Sequence, residues 1–294
     1  MDQHRLGVVM VVTASACFGT LAIFGKVAEA AGLNMITLLT YRFLFGTALL
    51  WGGLAIWGRA VRLLGRHLRV ALALGFLYAI FSGFFFWGLL YIPAGIAGIT
   101  FYTFPIIVYV LSVTFLDEHL TRRNLLALGT ALVGIVVIIA GNASGVNVIG
   151  VAFIFLAAVG YAIYITGSRA ALSQIAPDIL AGTALIATAV SFLAVGSLSG
   201  QLTVPQGIDQ WAIIVGIAVL GTAIPLFLYV SGLQRIQANQ AAVISTVEPV
   251  TTVALGIILL AEPFTARVAL GGVLVIGSVL LVRTDVAAEV RTAH

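Results

Sequence analysis

The feature that most constrains this chain is a succession of long apolar runs with almost nothing between them. Ten runs of roughly 20 residues fit, over about 6–30, 35–57, 69–91, 94–116, 123–141, 148–171, 179–199, 210–233, 238–260 and 267–284. At about 1.5 Å per residue, each is long enough as a helix to cross the hydrocarbon of a bilayer. Backbone polar groups inside hydrocarbon must be satisfied within their own segment, so runs of this length are read as helices. The gaps carry breakers and polar residues: Gly32-Leu33-Asn34, Pro93, Asn142-Ala143-Ser144-Gly145, Pro177-Asp178, Pro205-Gln206-Gly207 and Glu262-Pro263. None has room for a soluble domain. The charge content agrees, because 8% of the 294 residues are charged, against roughly 25% in a soluble domain. The expected fold class is an all-α polytopic membrane protein with ten transmembrane helices.

The first run starts with the outline of a signal peptide, Arg5, an apolar stretch and Ala14-Ser15-Ala16. It continues to about Ala30, too long for a signal core, and is read as the first span. With ten spans, both termini share a side. That side collects Arg5, Arg59, Arg62, Arg66, Arg69, Arg122, Arg123, Arg169, Arg235, Arg283 and Arg291. The other side has Lys26, Arg42 and Arg267. Cytoplasmic loops carry the excess of Lys and Arg, so both termini are expected in the cytoplasm. The net charge of +4 comes from these scattered gaps, not from one face, and does not point to nucleic acid. Cys17 is the single cysteine, and His4, His67, His119 and His294 lie in gaps or at termini, so no disulfide, metal or catalytic spacing is expected.

The chain also repeats itself. A shift of 144 aligns Pro105 with Pro249, Glu118 with Glu262, Thr121 with Thr265, Arg123 with Arg267 and Gly88-Leu89 with Gly232-Leu233. Twelve of the 39 positions from 88 to 126 are identical at that shift. A shift of 143 carries a weaker match into spans 1 and 6, pairing Phe18 with Tyr161, Lys26 with Arg169, Ile36 with Ile179 and Thr40 with Thr183. Two repeats of five spans follow, over 1–145 and 146–294. An odd number of spans inverts the second repeat relative to the first, with a cavity expected near the midplane between them.

Four segments carry a resemblance: SACFGTLAIFGK in span 1, YRF in span 2, FPIIVYVLSVTFLDE in span 4 and VEPVTTVALGIILLAE in span 9. With them the chain resembles the drug/metabolite transporter superfamily in its EamA-like ten-helix form. The resemblance covers essentially the whole chain. It implies two inverted five-helix bundles, a central cavity ringed by spans 1, 3, 4, 6, 8 and 9, and efflux of small metabolites across the inner membrane. Within the superfamily the chain looks most like exporters of aromatic and other neutral amino acids (the YddG type). It departs from its own repeat pattern where span 4 carries Phe104 and span 9 carries Glu248.

Glu248 is the central candidate. It lies about 11 residues from either end of its run, roughly 16 Å at the rise of a helix, hence near the midplane. Ser245, Thr252 and Gly256 share its face, a stripe expected to look onto protein or a water-filled cavity. Glu248 is read as binding a substrate amine, carrying a coupling proton, or re-satisfying, with Ser245, backbone freed by Pro249. Pro105 and Pro249 are candidate hinges of two gates, or static kinks. Tyr78, Phe81, Tyr102 and Tyr161 are the aromatic cavity candidates, drawn from spans rich in Phe, Tyr and Trp, with Trp87 and Tyr91 suited to the interface belt. Arg42 either snorkels outward or pairs with Glu29, and Lys26 or Arg42 could draw an anionic group at an outer mouth. Gly129 and Gly134, with Gly272 and Gly277 at the same spacing, suggest a packing seam.

The expected partners are a small-molecule substrate and the lipid bilayer, with no cofactor and no metal. A monomer and an oligomer both remain open. No histidine lies within a span and no second mid-span acid accompanies Glu248, which argues against an enzyme. An exporter of other small amphipathic compounds, and a receptor that binds without transporting, are the alternatives.

Overall fold

The computed structural model describes residues 2–58, 63–91, 100–116, 121–139, 147–260, 266, 269–274, 277–278 and 281. The described residues form helices joined by short turns, with no strand among them. They are α1 (Gln3–Phe18), α2 (Leu21–Ala30), α3 (Met35–Ile56), α4 (Gly65–Leu89), α5 (Phe104–Leu116), α6 (Arg122–Ile139), α7 (Val148–Ala171), α8 (Pro177–Leu198), α9 (Gly207–Ala218), α10 (Ile224–Leu233), α11 (Ala238–Ile244) and α12 (Val247–Leu260). A π-helical turn, Val219–Ala223, joins α9 to α10.

Among the described residues, six stretches are long and apolar enough to cross a membrane: Gln3–Gly25, Met35–Ile56, Gly65–Gly88, Val148–Ala171, Pro177–Leu198 and Gly207–Leu233. They match expected spans 1, 2, 3, 6, 7 and 8. The shorter α5 is apolar as well. Half of the tenth run lies outside the described residues, as do Pro93, Glu118, Glu262 and Arg267. The helix starts follow local chemistry. Asn34 caps α3 by accepting from the Thr37 N–H, and Pro177 opens α8, where its missing N–H costs nothing.

The core lies where the helices cross. α1 packs along α10, α4 along α7 and α8, and α3 against α8. Two of these contacts rest on glycine and repeat each other. A Cβ on Gly7 would stand 3.2 Å from the Gly232 carbonyl oxygen, and one on Gly88 would stand 3.2 Å from that of Gly150. The shifts of 143 and 144 that align the repeats turn one pair into the other. Small residues let membrane helices approach until backbones touch, so both positions exclude a side chain. Gly129, Gly272 and Gly277, expected to form a seam, have no atom within 4 Å of where a Cβ would lie. The room beside them is not filled by the described part of this chain.

Candidate functional site

Among the described residues, four of the apolar runs are interrupted, and the candidate site is assembled from these interruptions. The first run breaks at Gly19-Thr20, between α1 and α2, and the eighth at the π-helical turn. The fourth breaks at Tyr102-Thr103 and the ninth at Ser245-Thr246. Threonine closes three of these turns in the same manner, its hydroxyl donating to the carbonyl three residues back. Thr20 donates to Cys17 at 2.6 Å, Thr103 to Thr100 at 2.7 Å and Thr246 to Val243 at 2.6 Å. Freed backbone inside a membrane protein is re-satisfied locally in this way.

The break in the ninth run settles what Pro249 requires. Pro249 has no N–H to give to the Ser245 carbonyl. The backbone N–H of Glu248 donates there instead, at 3.0 Å. The Ser245 hydroxyl, 1% exposed, turns back to the Ala241 carbonyl at 2.8 Å. The backbone is therefore satisfied without the Glu248 carboxylate. Glu248 as a residue is half-buried. Tyr102 places its phenol in hydrogen-bonding relation to it, and Arg42, Tyr78, Tyr161 and Tyr229 lie near enough to act on it electrostatically.

Thr252 is not the free cavity wall that the stripe suggested. Its hydroxyl donates to the Gly19 carbonyl at 2.9 Å and lies 3.1 Å from the Glu248 carbonyl, tying the ninth run to the break in the first. A Cβ on Gly19 would stand 2.7 Å from the Glu248 carbonyl oxygen, so only glycine permits this crossing. Gly256, on the same stripe, lies outside the residues whose side chains are described.

Tyr78, Phe81, Tyr102 and Tyr161 are all buried and belong to one aromatic cluster. Tyr78 stacks on Phe81 at 4.8 Å, Phe81 meets Tyr161 at 5.2 Å, and Tyr161 meets Phe104 edge-on at 4.8 Å. Phe104 in turn touches Tyr102 at 5.7 Å. Such pairs favour offset or edge-on geometry, which fixes the rings relative to one another. Phe76, Trp87 and Tyr91 point away from this cluster and are exposed, as lipid-facing or interface residues should be.

Arg42 is the clearest correction. It does not snorkel outward and is only 2% exposed. Its Nε donates to the Thr222 hydroxyl at 2.8 Å and an Nη to the Gly221 carbonyl at 3.1 Å. The guanidinium also lies 4.7 Å over the Phe43 ring and interacts with the Tyr78 phenol. Thr222 hands its own proton to the Ile217 carbonyl at 3.1 Å. A buried cation is tolerated where it finds hydrogen-bond partners, and the π turn supplies two of them through Gly221 and Thr222. The side chains of Lys26 and Glu29 lie outside the described residues.

Sequence reasoning missed Tyr229, which is 1% exposed on α10. Its hydroxyl sits beside Ser245 and Tyr161 but closes a well-formed hydrogen bond with neither. A signal was present, because the shift of 144 sets Tyr229 against Phe85 just as it sets Glu248 against Phe104.

The EamA-like transporter family profile matches residues 5–140 and again 148–284. An uncharacterized transporter of Archaeoglobus fulgidus is 30% identical over 261 residues, covering 85% of this chain and 90% of that protein. The uncharacterized transporter YcbK of Bacillus subtilis is 26% identical over 274 residues, 88% of this chain and 87% of that one. One solved crystal structure superposes with a TM-score of 0.82 over 97% of this chain and 98% of its own, at 22% identity, and so shares the fold. The chain belongs to the EamA-like transporter family.

Proposed function

We propose that this transporter exports small metabolites, most often aromatic and other neutral amino acids, from the cytoplasm by alternating access. The reading rests on one observation. Glu248 is a half-buried acid within the ninth apolar run, with the Tyr102 phenol in hydrogen-bonding relation to it and Arg42, Tyr78, Tyr161 and Tyr229 near enough to act on it, and its backbone needs are met by other groups. An intramembrane carboxylate costs several kcal/mol and persists where it has a task. A carboxylate beside aromatic rings suits an ammonium group attached to an apolar body.

The family places the chain among transporters rather than enzymes, with a small-molecule substrate and a lipid bilayer as its partners. Ten spans in two inverted repeats, 1–145 and 146–294, are the architecture that the shifts of 143 and 144 support. The twin glycine contacts, Gly7 with Gly232 and Gly88 with Gly150, support it as well. The arginine asymmetry favours both termini in the cytoplasm and an inner-membrane location. In this reading Pro105 and Pro249 mark the hinges, and Glu248 is the site that alternates between the two sides.

Flux in proteoliposomes tests the proposal, using labelled phenylalanine, tryptophan, threonine and methionine in turn. Saturable flux of at least one, blocked by an excess of unlabelled compound, is the expected result. No saturable flux for any of the four would reject the amino-acid reading. An imposed pH gradient that drives the flux would assign Glu248 a coupling proton, and indifference to the gradient would leave it as a substrate ligand.

A further inference from the structure

A cavity lies away from Glu248, on the outside of the bundle. It is a groove of about 330 Å³ where the start of α3, the end of α4 and the end of α8 meet, near Met35, Leu90 and Gln201. Its floor is core, formed by the buried residues Leu39, Ala79, Phe86 and Phe192. Its rim is exposed, formed by Phe76 and Trp87, which face the hydrocarbon in a membrane-spanning chain. The groove therefore cuts from the lipid-facing surface into the packed interior.

We propose that this groove binds one acyl chain of a bilayer lipid, held as a fixed part of the folded protein. The argument is one of elimination and of shape. Water is a poor occupant, since a bound water needs two to four polar partners and the lining is almost wholly apolar, with Ser191 and Gln201 its polar side chains. An empty groove would deprive its walls of dispersion contacts. The medium at its rim consists of acyl chains, the flexible apolar groups that can enter and fill it.

The wall itself makes the room. Gly83 lines the groove, and a Cβ there would meet no atom within 4 Å. Elsewhere on α4, Gly75 and Gly88 are glycine because a neighbouring helix presses against them. Gly83 has no such neighbour, so its missing side chain leaves space for something outside the chain. One polar side chain, the exposed Gln201 just beyond α8, lies at one end of the groove. The floor residue Phe192 stacks on Phe43 at 5.3 Å, and Phe43 meets Tyr78 edge-on at 5.4 Å. A chain in the groove thus supports the rings that pack around Arg42. The inference is independent of what the protein carries.

The test uses the full chain in detergent with Trp87 as its only tryptophan, through Trp51→Phe, Trp57→Phe and Trp211→Phe. Phosphatidylcholine bearing a brominated acyl chain is titrated in, and Trp87 fluorescence is followed. Quenching should saturate near one lipid per protein. Gly83→Leu, which fills the groove, should leave only weak quenching that does not saturate. If Gly83→Leu fails to fold by circular dichroism, Ser191→Leu on the opposite wall serves in its place. Non-saturating quenching before any filling, or saturation that survives the filling, would overturn the proposal. So would displacement of the lipid by excess phenylalanine, which would make the groove part of the substrate path.

Discussion

The helices α5 and α12 begin alike and carry opposite surfaces. Each follows a two-residue break closed by a threonine hydroxyl, and each has a proline in its first turn. The spacing differs by one residue. Thr103-Phe104-Pro105 faces Thr246-Val247-Glu248-Pro249, so the second segment holds one residue more between break and proline. Phe104 is fully buried, its ring against Phe101, Tyr102 and Tyr161. Glu248 is partly accessible and meets Tyr102 through its carboxylate. The neighbours follow the same rule, because Phe85 and Phe101 in the first half stand opposite Tyr229 and Ser245 in the second. The break and the proline are shared architecture. At these matched positions the polar group lies in the second half, while the first half supplies Tyr102, Tyr78 and Arg42 around it.

The largest effect should come from exchanging the two surfaces. Glu248→Gln keeps the shape and removes the charge. A hydrogen bond to a charged group contributes up to about 3 kcal/mol, so flux at limiting substrate should fall about a hundredfold. Phe104→Leu, on the apolar side, should leave flux within about threefold of the parent. Equal losses in the proteoliposome assay would erase the distinction between the halves.

Arg42→Met should lower stability by about 2 kcal/mol, because the Gly221 carbonyl and Thr222 lose a charged donor inside the bundle. Unfolding in denaturant after solubilisation measures this. An unchanged midpoint would show that the π turn stands without the guanidinium. Thr252→Val removes the link to the Gly19 carbonyl, and such bonds between membrane helices average about 0.6 kcal/mol. Tyr229→Phe makes the second half resemble the first at the position of Phe85. Since the Tyr229 hydroxyl closes no well-formed bond, stability should shift by less than about 0.5 kcal/mol. A loss several times larger would mean that Ser245 or Tyr161 bonds this hydroxyl in the membrane.

Much of the fold was legible because the bilayer imposes one period and one length. The span expected at 148–171 is α7 to the residue, and the runs of α3, α4 and α8 end within a few residues of expectation. The breaks were less legible. Gly-Thr occurs five times, at Gly19-Thr20, Gly46-Thr47, Gly129-Thr130, Gly182-Thr183 and Gly221-Thr222. It interrupts a helix at the first and last of these and passes unnoticed inside α3, α6 and α8. The dipeptide permits a break, and packing decides where one occurs. At Gly19 the deciding contact is the backbone of Glu248, and at Thr222 it is Arg42, 180 residues away. No local pattern carries that information. The proline pair and the lone mid-span acid were legible as chemistry. The stripe shows which face Ser245 and Thr252 occupy and not which carbonyl each hydroxyl finds, Ala241 for one and Gly19 for the other.

The central claim is that the charge of Glu248, in the second half, reads an ammonium group of the substrate. Equilibrium binding of labelled tryptophan and of indole-3-propionate, which lacks the amine, tests it in the parent and in Glu248→Gln. The account predicts that tryptophan binding weakens about a hundredfold while indole-3-propionate binding changes less than threefold, from about 3 kcal/mol lost with one ligand only. Equal weakening for both ligands, or no change for tryptophan, would contradict it.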